Sequence, residues 1–363
     1  MDRQAVCAVL ARAPEIYAHH MRALVEAAGG DLTRSLELEA INRVDIPHAA
    51  RASLVYPDSA ALTADLKWIE TSGVRLLAST EPEYPQQLLQ LPDAPSVLFV
   101  LGDARALRSR QLAMVGARKA TASGCETAAR FAAYLGRAGL TITSGLALGI
   151  DAASHRGALW GKGATVAVCG TGLDIIYPTQ HSELAAGIRA SGALVSELPP
   201  RTAPRKLHFP RRNRLISALA EGVLVVEAAP RSGSLITARR ALELARPVFA
   251  LPGSINNPLS GGCHQLIQAG ATLVLEPANI LRSLKIPLPN EGLVRRAGRS
   301  DPREAMDKGY EMLLDAVGFE PATMDVLVRR TGLPGDSIAS MLLDLELEGH
   351  VAPYPGGRFG RIP

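Results

Sequence analysis

The sequence predicts an α/β protein: a Rossmann-like, doubly wound, mostly parallel sheet, with a small N-terminal helical domain before it and a C-terminal winged-helix domain after it. Three observations carry this. From about residue 110 to 275, short apolar runs alternate with helix-length stretches, the pattern of a parallel sheet covered on both faces. Most of these runs end in small residues and glycine, as strands do where a sheet meets its ligands. Residues 285–304 carry Pro and Gly without periodicity, which marks a linker before a last segment with a different pattern.

In chain order, Ile16, Met21, Leu24 and Val25 give a first helix its apolar face, and Gly29 and Gly30 stop it. Turns and short strands follow, among them the run 97–100. Strands are then predicted at 112–115, 140–143, 165–168, 193–195, 223–226, 248–251 and 272–275. Helices are predicted at 122–137, 151–160, 182–190, 213–220, 235–245 and 264–269. Beyond the linker, 306–317 and 323–330 read as helices. A third helix, capped by Asp336 or Ser337, places Ile338, Met341, Leu342 and Leu345 at i, i+3, i+4 and i+7. Residues 351–354 and 358–362 complete it as a hairpin. The expected domains are 1–72 (helical, SAM-like), 73–284 (extended Rossmann-like), 285–304 (linker) and 305–363 (winged-helix-like).

The chain is 47% hydrophobic and 20% charged, an ordinary globular balance. No apolar run approaches the roughly 20 residues of a membrane helix. Met1-Asp2-Arg3-Gln4 lacks a signal-peptide layout, so a cytoplasmic protein without membrane contact is expected. Cys7, Cys125, Cys169 and Cys263 form no C-x-x-C pair, and no metal or cofactor is expected. The net charge of +4 conceals a division along the chain. Residues 1–104 hold 8 basic against 14 acidic side chains, residues 105–300 hold 25 against 10, and residues 301–363 hold 6 against 11. A basic middle of net +15 between acidic ends points to a polyanionic partner. Arg outnumbers Lys, which suits bidentate phosphate contact and stacking on bases.

The strand ends supply the candidate site. Gly116-Ala117-Arg118-Lys119 follows the first strand of the alternating region, and Ser144-Gly145 begins the turn after the second. Gly170-Thr171-Gly172 follows the third, Ser196-Glu197 the fourth, and Glu227 with Ser232-Gly233-Ser234 the fifth. Small residues admit a ligand to the backbone, and helix starts attract phosphate. No dinucleotide fingerprint is complete, since Ile175 stands where a third glycine would be, and no triphosphate loop occurs. Asp151 and Asp174 read as helix caps and His155 as a packed residue, so no catalytic constellation is expected. A second basic feature spans residues 201–214, where Arg205, Lys206, Arg211, Arg212 and Arg214 surround His208 and Phe209. Cations interleaved with aromatic rings suit single strands, whose phosphates meet charge while unpaired bases stack.

Several strings together resemble the DprA/Smf family. They are Val115-Gly116-Ala117-Arg118, the run from Ser144 to His155, Gly170-Thr171-Gly172-Leu173-Asp174 with Tyr177-Pro178, Ser196-Glu197, the run from Phe209 to Arg214, the run from Ser232 to Ala238, and Pro252-Gly253-Ser254. The resemblance covers about residues 80–280. Ala117 stands where that family more usually has serine, and Leu148 where arginine is common. The resemblance implies a non-catalytic protein that binds single-stranded DNA, forms a homodimer, and hands strands to the RecA recombinase in natural transformation and recombination. By that likeness DNA contact falls on Arg118, Gly145, Lys206, Phe209 and Arg212. The strand-end and basic-cluster readings add Gly116, Lys119, Ser144, Arg211, Asn213, Arg214, Ser232, Gly233 and Ser234. The family's dimer edge corresponds to the region near Leu266 and Ile267. Its relatives can carry a winged helix, but here the outer face of the third helix is Ser337, Ser340, Asp344 and Glu348, which favours a protein contact over DNA. Arg358 and Arg361 on the wing allow a weak accessory contact.

The alternative is a nucleotide-binding enzyme of the lysine-decarboxylase-like group, a nucleoside-monophosphate glycosidase. Those proteins need a P-G-G-x-G-T-x-x-E loop with a catalytic glutamate. The comparable loop here, residues 231–240, contains no acid.

Overall fold

The computed structural model describes residues 1–288, 308–317 and 321–362. The chain divides into two units, Met1–Pro289 and Asn290–Pro363. The first unit opens with five helices: α1 (Arg3–Arg12), α2 (Ala18–Ala27), α3 (Leu38–Arg43), α4 (His48–Val55) and α5 (Ser59–Ser72). Nine strands follow: β1 (Arg75–Ala78), β2 (Val97–Gly102), β3 (Gln111–Val115), β4 (Thr141–Ser144), β5 (Thr165–Val168), β6 (Ala193–Ser196), β7 (Gly222–Val225), β8 (Val248–Ala250) and β9 (Thr272–Leu273). They form one sheet in the order β1-β2-β6-β5-β4-β3-β7-β8-β9. Strands β3 to β9 pair in parallel with one another, while β1–β2 and β2–β6 are antiparallel.

The helices among these strands are α6 (Ala122–Arg137), α7 (Ile150–Trp160), α8 (Ser182–Ser191), α9 (His208–Leu219), α10 (Ser234–Glu243), α11 (Gly261–Gln268) and α12 (Pro277–Ser283). Successive strand residues point to opposite faces. In β7, Val223 and Val225 join the core formed with α9, α10 and α11, while Leu224 joins the core formed with α6 and α7. The apolar runs seen in the sequence are therefore double-faced strands rather than half-exposed ones. The N-terminal helices share a third core with the antiparallel end of the sheet, where Leu10, Met21, Leu24 and Ile41 pack with Phe99, Leu101 and Ile188. No helix among the described residues is long and apolar enough to cross a membrane.

One boundary differs from expectation in a way that matters for the site. The helix expected to begin at Asn213 begins at His208, so the basic cluster of residues 208–214 is helical rather than a loop. Pro210 and the run of charges suggest a loop to a reader of the sequence. A proline in the first turn removes no hydrogen bond, because the first N–H groups of a helix have no partner within it.

In the second unit, α13 (Lys308–Val317), α14 (Met324–Thr331) and α15 (Gly335–Leu347) pack with β10 (Ala322–Thr323), β11 (Val351–Tyr354) and β12 (Arg358–Arg361). Its sheet runs β10-β12-β11 and its core includes Leu313, Leu327, Ile338, Leu342 and Leu345. This is a winged helix. The two-residue strand β10 is an addition to the expected hairpin. The expected cap at Asp336 or Ser337 is not used: α15 starts at Gly335 behind Pro334, with no side-chain cap, and Asp336 lies in its first turn, where the helix dipole favours an acid. The predicted linker beyond residue 288, and the predicted helix start at residue 306, lie outside the described residues.

Candidate nucleic-acid interface

Strands β3 and β7 are neighbours, yet the chain leaves β3 toward one end of the sheet and continues from β7 toward the other. In open α/β sheets, ligands bind beyond the carboxyl ends of strands at such a switch point. A cavity of about 420 Å³ lies there. Gly116 and Arg118 reach it from the loop after β3, Ala147 and Asp151 from the turn into α7, and Tyr177 from the loop after β5. Lys206 precedes α9, which adds Phe209, Arg212, Asn213 and Ile216; Ser232, Gly233, Ser234 and Thr237 come from the start of α10.

The contribution of α9 follows from its periodicity. Phe209, Arg212, Asn213 and Ile216 stand at i, i+3, i+4 and i+7, so they share one face. Arg214, two residues past Arg212, points elsewhere. It is 5% exposed, with Nη2 2.5 Å from Glu197 Oε2 and Nε 3.0 Å from Asp93 Oδ2. That ion pair neutralises Arg214 inside the protein, which corrects the expectation of a phosphate contact from this residue. Burial pushes the Glu197 carboxyl up, while the charges of Arg214 and Arg211 oppose that. Arg211 is exposed and its Nη2 lies 3.6 Å from the same carboxylate.

Arg118 and Phe209 form the open part of the cavity. The Arg118 guanidinium carbon lies 5.6 Å from the Phe209 ring centroid, within cation–π range. The Tyr177 ring lies 5.6 Å from Phe209, tilted by 42°. Arg118 is exposed and Phe209 half-buried. The loop carrying Arg118 and Lys119 is fixed from below by Glu227. Its carboxylate accepts the Thr121 N–H at 2.9 Å and the Thr121 hydroxyl at 2.6 Å. Gly116 sits where a Cβ would lie 2.6 Å from Ile150 Cγ1, so a larger residue would push the loop off α7.

The floor is a buried Arg212 above Asp151. Arg212 is 4% exposed and donates from Nη1 to the Val168 carbonyl at 2.6 Å. A Cβ on Gly145 would fall 1.8 Å from that nitrogen, so only glycine admits the guanidinium here. Asp151 accepts from the Gly145 and Ala147 N–H groups at 3.1 and 3.3 Å. It therefore ties down the turn after β4 instead of capping α7 as expected. Burial raises the Asp151 carboxyl and lowers the Arg212 guanidinium, and each charge partly offsets the shift of the other. Asp174 likewise caps no helix, because its two oxygens accept from the Arg201 N–H at 2.9 and 2.8 Å.

Ser144 is fully buried and donates to the Met114 carbonyl at 2.6 Å, and Gly145 is buried against Arg212, so both shape the site from behind. Lys119 is exposed beside the cavity without lining it. Leu266 and Ile267 are on α11 and pack on the sheet core. Tyr177 and Thr237 join the site although neither is among the expected contacts; the signals available for them are Tyr177-Pro178 and the run from Ser232 to Ala238 in the family strings. Among the described residues, no group of three or more His, Cys, Asp and Glu side chains could hold a metal ion.

Comparison with known proteins places this geometry in context. Residues 75–285 match the family model for DNA recombination-mediator protein A, and residues 297–357 match the DprA winged helix domain. Protein Smf of Escherichia coli is 45% identical over 301 residues, covering 82% of this chain and 80% of Smf. The X-ray structure of DprA from Streptococcus pneumoniae is 34% identical with a TM-score of 0.66, covering 78% of this chain and 97% of that one. A structure of Helicobacter pylori DprA, described for its single-stranded DNA binding mode, is 30% identical with a TM-score of 0.54, covering 59% of this chain and 96% of that one.

Proposed function

Since the chain belongs to the DprA/Smf family of DNA recombination-mediator proteins, we propose that it binds single-stranded DNA at the strand-end cavity and hands it to a RecA recombinase during transformation or recombination. The observation that carries this reading is the half-buried Phe209 ring with Arg118 above it and Lys206 beside it on one cavity wall. A base stacks on such a ring while the neighbouring cations meet its phosphates. The proposed contacts are Arg118, Lys206, Phe209, Arg212, Asn213, Ser232, Gly233 and Ser234, with Lys119 and Arg211 at the margin. The H. pylori relative's single-strand binding supports the choice of ligand.

The protein acts in the cytoplasm as a homodimer without catalysis. The exposed Leu273 and Leu275 at the β9 edge, next to α11, support a dimer there. Engagement of Asp151 and Glu227 by backbone and hydroxyl groups supports the non-catalytic reading, since neither carboxylate is poised as a base. The winged-helix unit serves as a protein-contact module through the acidic outer face of α15.

A gel-shift comparison of oligo-dT with duplex at several salt concentrations tests this. Single strands bind tighter, with a log–log salt slope of about −2 to −3.5 for about 3–5 neutralised phosphates. Equal or tighter duplex binding at moderate salt overturns the reading. Stimulation of strand exchange by the cognate RecA, with single-strand-binding protein present, tests the handover. Release of free base from a nucleoside monophosphate, abolished by a substitution at the rim, would show an enzyme.

A further inference from the structure

We propose that the strand-end cavity is a site for a nucleotide phosphomonoester, either the phosphorylated end of a DNA strand or a free mononucleotide, held by Arg118, Lys206, Arg212 and Thr237. This rests on the single-strand reading of the same cavity and narrows it from any phosphate along a strand to a terminal one.

Two residues that line the cavity each carry a buried polar atom without a partner. Thr237 is 1% exposed, and its Oγ1 finds no hydrogen-bond partner among the described residues. Arg212 is 4% exposed, and its Nε has none either. Buried polar groups are nearly always paired; seven such atoms lack partners among the described residues, and these two belong to residues of one cavity wall, where a polar ligand would pair them. Thr237 is on the first turn of α10, at the positive end of the helix dipole.

Charge selects the kind of phosphate. Three cationic side chains converge on the cavity, opposed by the single carboxyl of Asp151. A phosphodiester within a strand offers one negative charge. A phosphomonoester, with a second pKa of about 6, offers nearly two at neutral pH and one more acceptor oxygen. The volume of about 420 Å³ is that of a small-ligand site.

The test uses the full chain and labelled oligo-dT with hydroxyl ends. Thymidine 5′-monophosphate is expected to displace it at a concentration at least about tenfold lower than thymidine does. Oligo-dT bearing a 5′- or 3′-phosphate is expected to bind several-fold tighter than the hydroxyl-ended strand. Thr237→Val should weaken displacement by the monophosphate about tenfold and erase the advantage of the phosphorylated end. Its melting temperature should hold or rise, because an unpaired buried hydroxyl is replaced by a methyl group of the same shape. Displacement without an end effect identifies the free nucleotide as the source; an end effect without displacement identifies the strand terminus. If thymidine competes as well as its monophosphate and neither terminal phosphate improves binding, the proposal fails. Continued tight binding of the hydroxyl-ended strand in that case leaves the single-strand reading standing. A Thr237→Val protein with unaltered displacement and end preference also overturns the proposal.

Discussion

The strand-end rim of the first unit and the third helix of the winged-helix unit are both positions from which folds of their kind can meet nucleic acid. They present opposite chemistry. The rim exposes Arg118, Lys119, Lys206 and Arg211 above a frame of buried carboxylates that hold the loops. The outer face of α15 exposes Ser337, Ser340, Asp344 and Glu348, and Asp344 accepts a hydrogen bond from the Tyr310 hydroxyl at 2.7 Å. Leu343 and Leu347, 57% and 79% exposed, lie on the same helix. A helix that reads a groove offers donors and cations to it. Here the fold of the second unit says less about its partner than its side chains do, and they suit a protein surface.

The comparison is sharpened most by separating arginines that belong to the rim from those that belong to the frame. The side chains of Glu197 and Arg214 are 7% and 6% exposed and pair with each other. Glu197→Ala leaves a buried guanidinium with only Asp93 beside it and should cost about 3–5 kcal/mol of stability. Arg118→Ala removes an exposed cation and should change stability by less than about 0.5 kcal/mol while weakening DNA binding. Urea denaturation of both variants measures this, and a larger stability loss for Arg118→Ala would reverse the assignment of frame and rim.

The buried His155 should make the first unit acid-sensitive. His155 is fully buried, and its ring is held by Thr165. The Thr165 hydroxyl donates to the Ile142 carbonyl at 2.6 Å, so it accepts from His155 Nδ1 at 2.7 Å and the ring is neutral with its proton on Nδ1. Burial, assisted by the Arg212 and His181 charges, lowers the imidazole from 6.5 to about 3. Between those values the unfolded chain binds a proton that the folded chain refuses. Stability therefore falls as pH drops below about 6.5, by up to about 1.4 kcal/mol per pH unit from this group, and is insensitive to it above. His155→Gln should flatten that acid limb in denaturation curves taken from pH 7 to 4; an unchanged limb would assign the acid sensitivity to other groups.

Much of this organisation is legible in the sequence, and the failures have local causes. The helix Ala122–Arg137 and the strand Thr165–Val168 match their predicted limits, because apolar periodicity and flanking turns agree there. The start of α9 is not legible, since Pro210 signals a loop to a reader who cannot see that it falls in a first turn. That one boundary decides the site. With the helix placed at His208, Arg212 faces the cavity and Arg214 faces Glu197; with a loop, the arginines are equivalent. Asp151 and Asp174 read as caps because acids before or within a first turn usually are, whereas Asp151 accepts from the turn just before its helix and Asp174 from a loop 27 residues further on. Thr237 lies within the family string Ser232 to Ala238, but nothing along the chain tells which face of α10 meets a cavity built from four other segments.

A smaller effect tests the ring. If a base stacks on Phe209, then Phe209→Ala should weaken single-strand binding by about 1–3 kcal/mol without altering the salt slope. Arg118→Ala should instead make the slope shallower by about 0.7, one phosphate contact. Titration of each variant with oligo-dT at several salt concentrations distinguishes the two. An unaltered affinity for a folded Phe209→Ala protein would reduce the ring to an anchor for the start of α9.

The smallest expected effect concerns removal of the second unit. If its acidic third helix is a protein surface, a chain ending at residue 288 should keep most of the single-strand affinity, losing less than tenfold, or about 1.4 kcal/mol. Two opposing terms make the expected change small. The removed segment 289–363 carries 9 basic against 12 acidic side chains, net charge −3, so its removal lessens long-range repulsion of the strand slightly, an effect that fades as salt rises. The same cut removes the wing, whose β12 carries Arg358 and Arg361 and whose expected DNA contact is weak. At low salt the first term should dominate and affinity should hold or rise slightly; at higher salt both shrink. A loss beyond tenfold at every salt concentration, in a truncated protein shown to be folded and dimeric, would mean that the winged helix grips DNA despite its charge, and the contrast between the two regions would have to be redrawn around the wing rather than around α15.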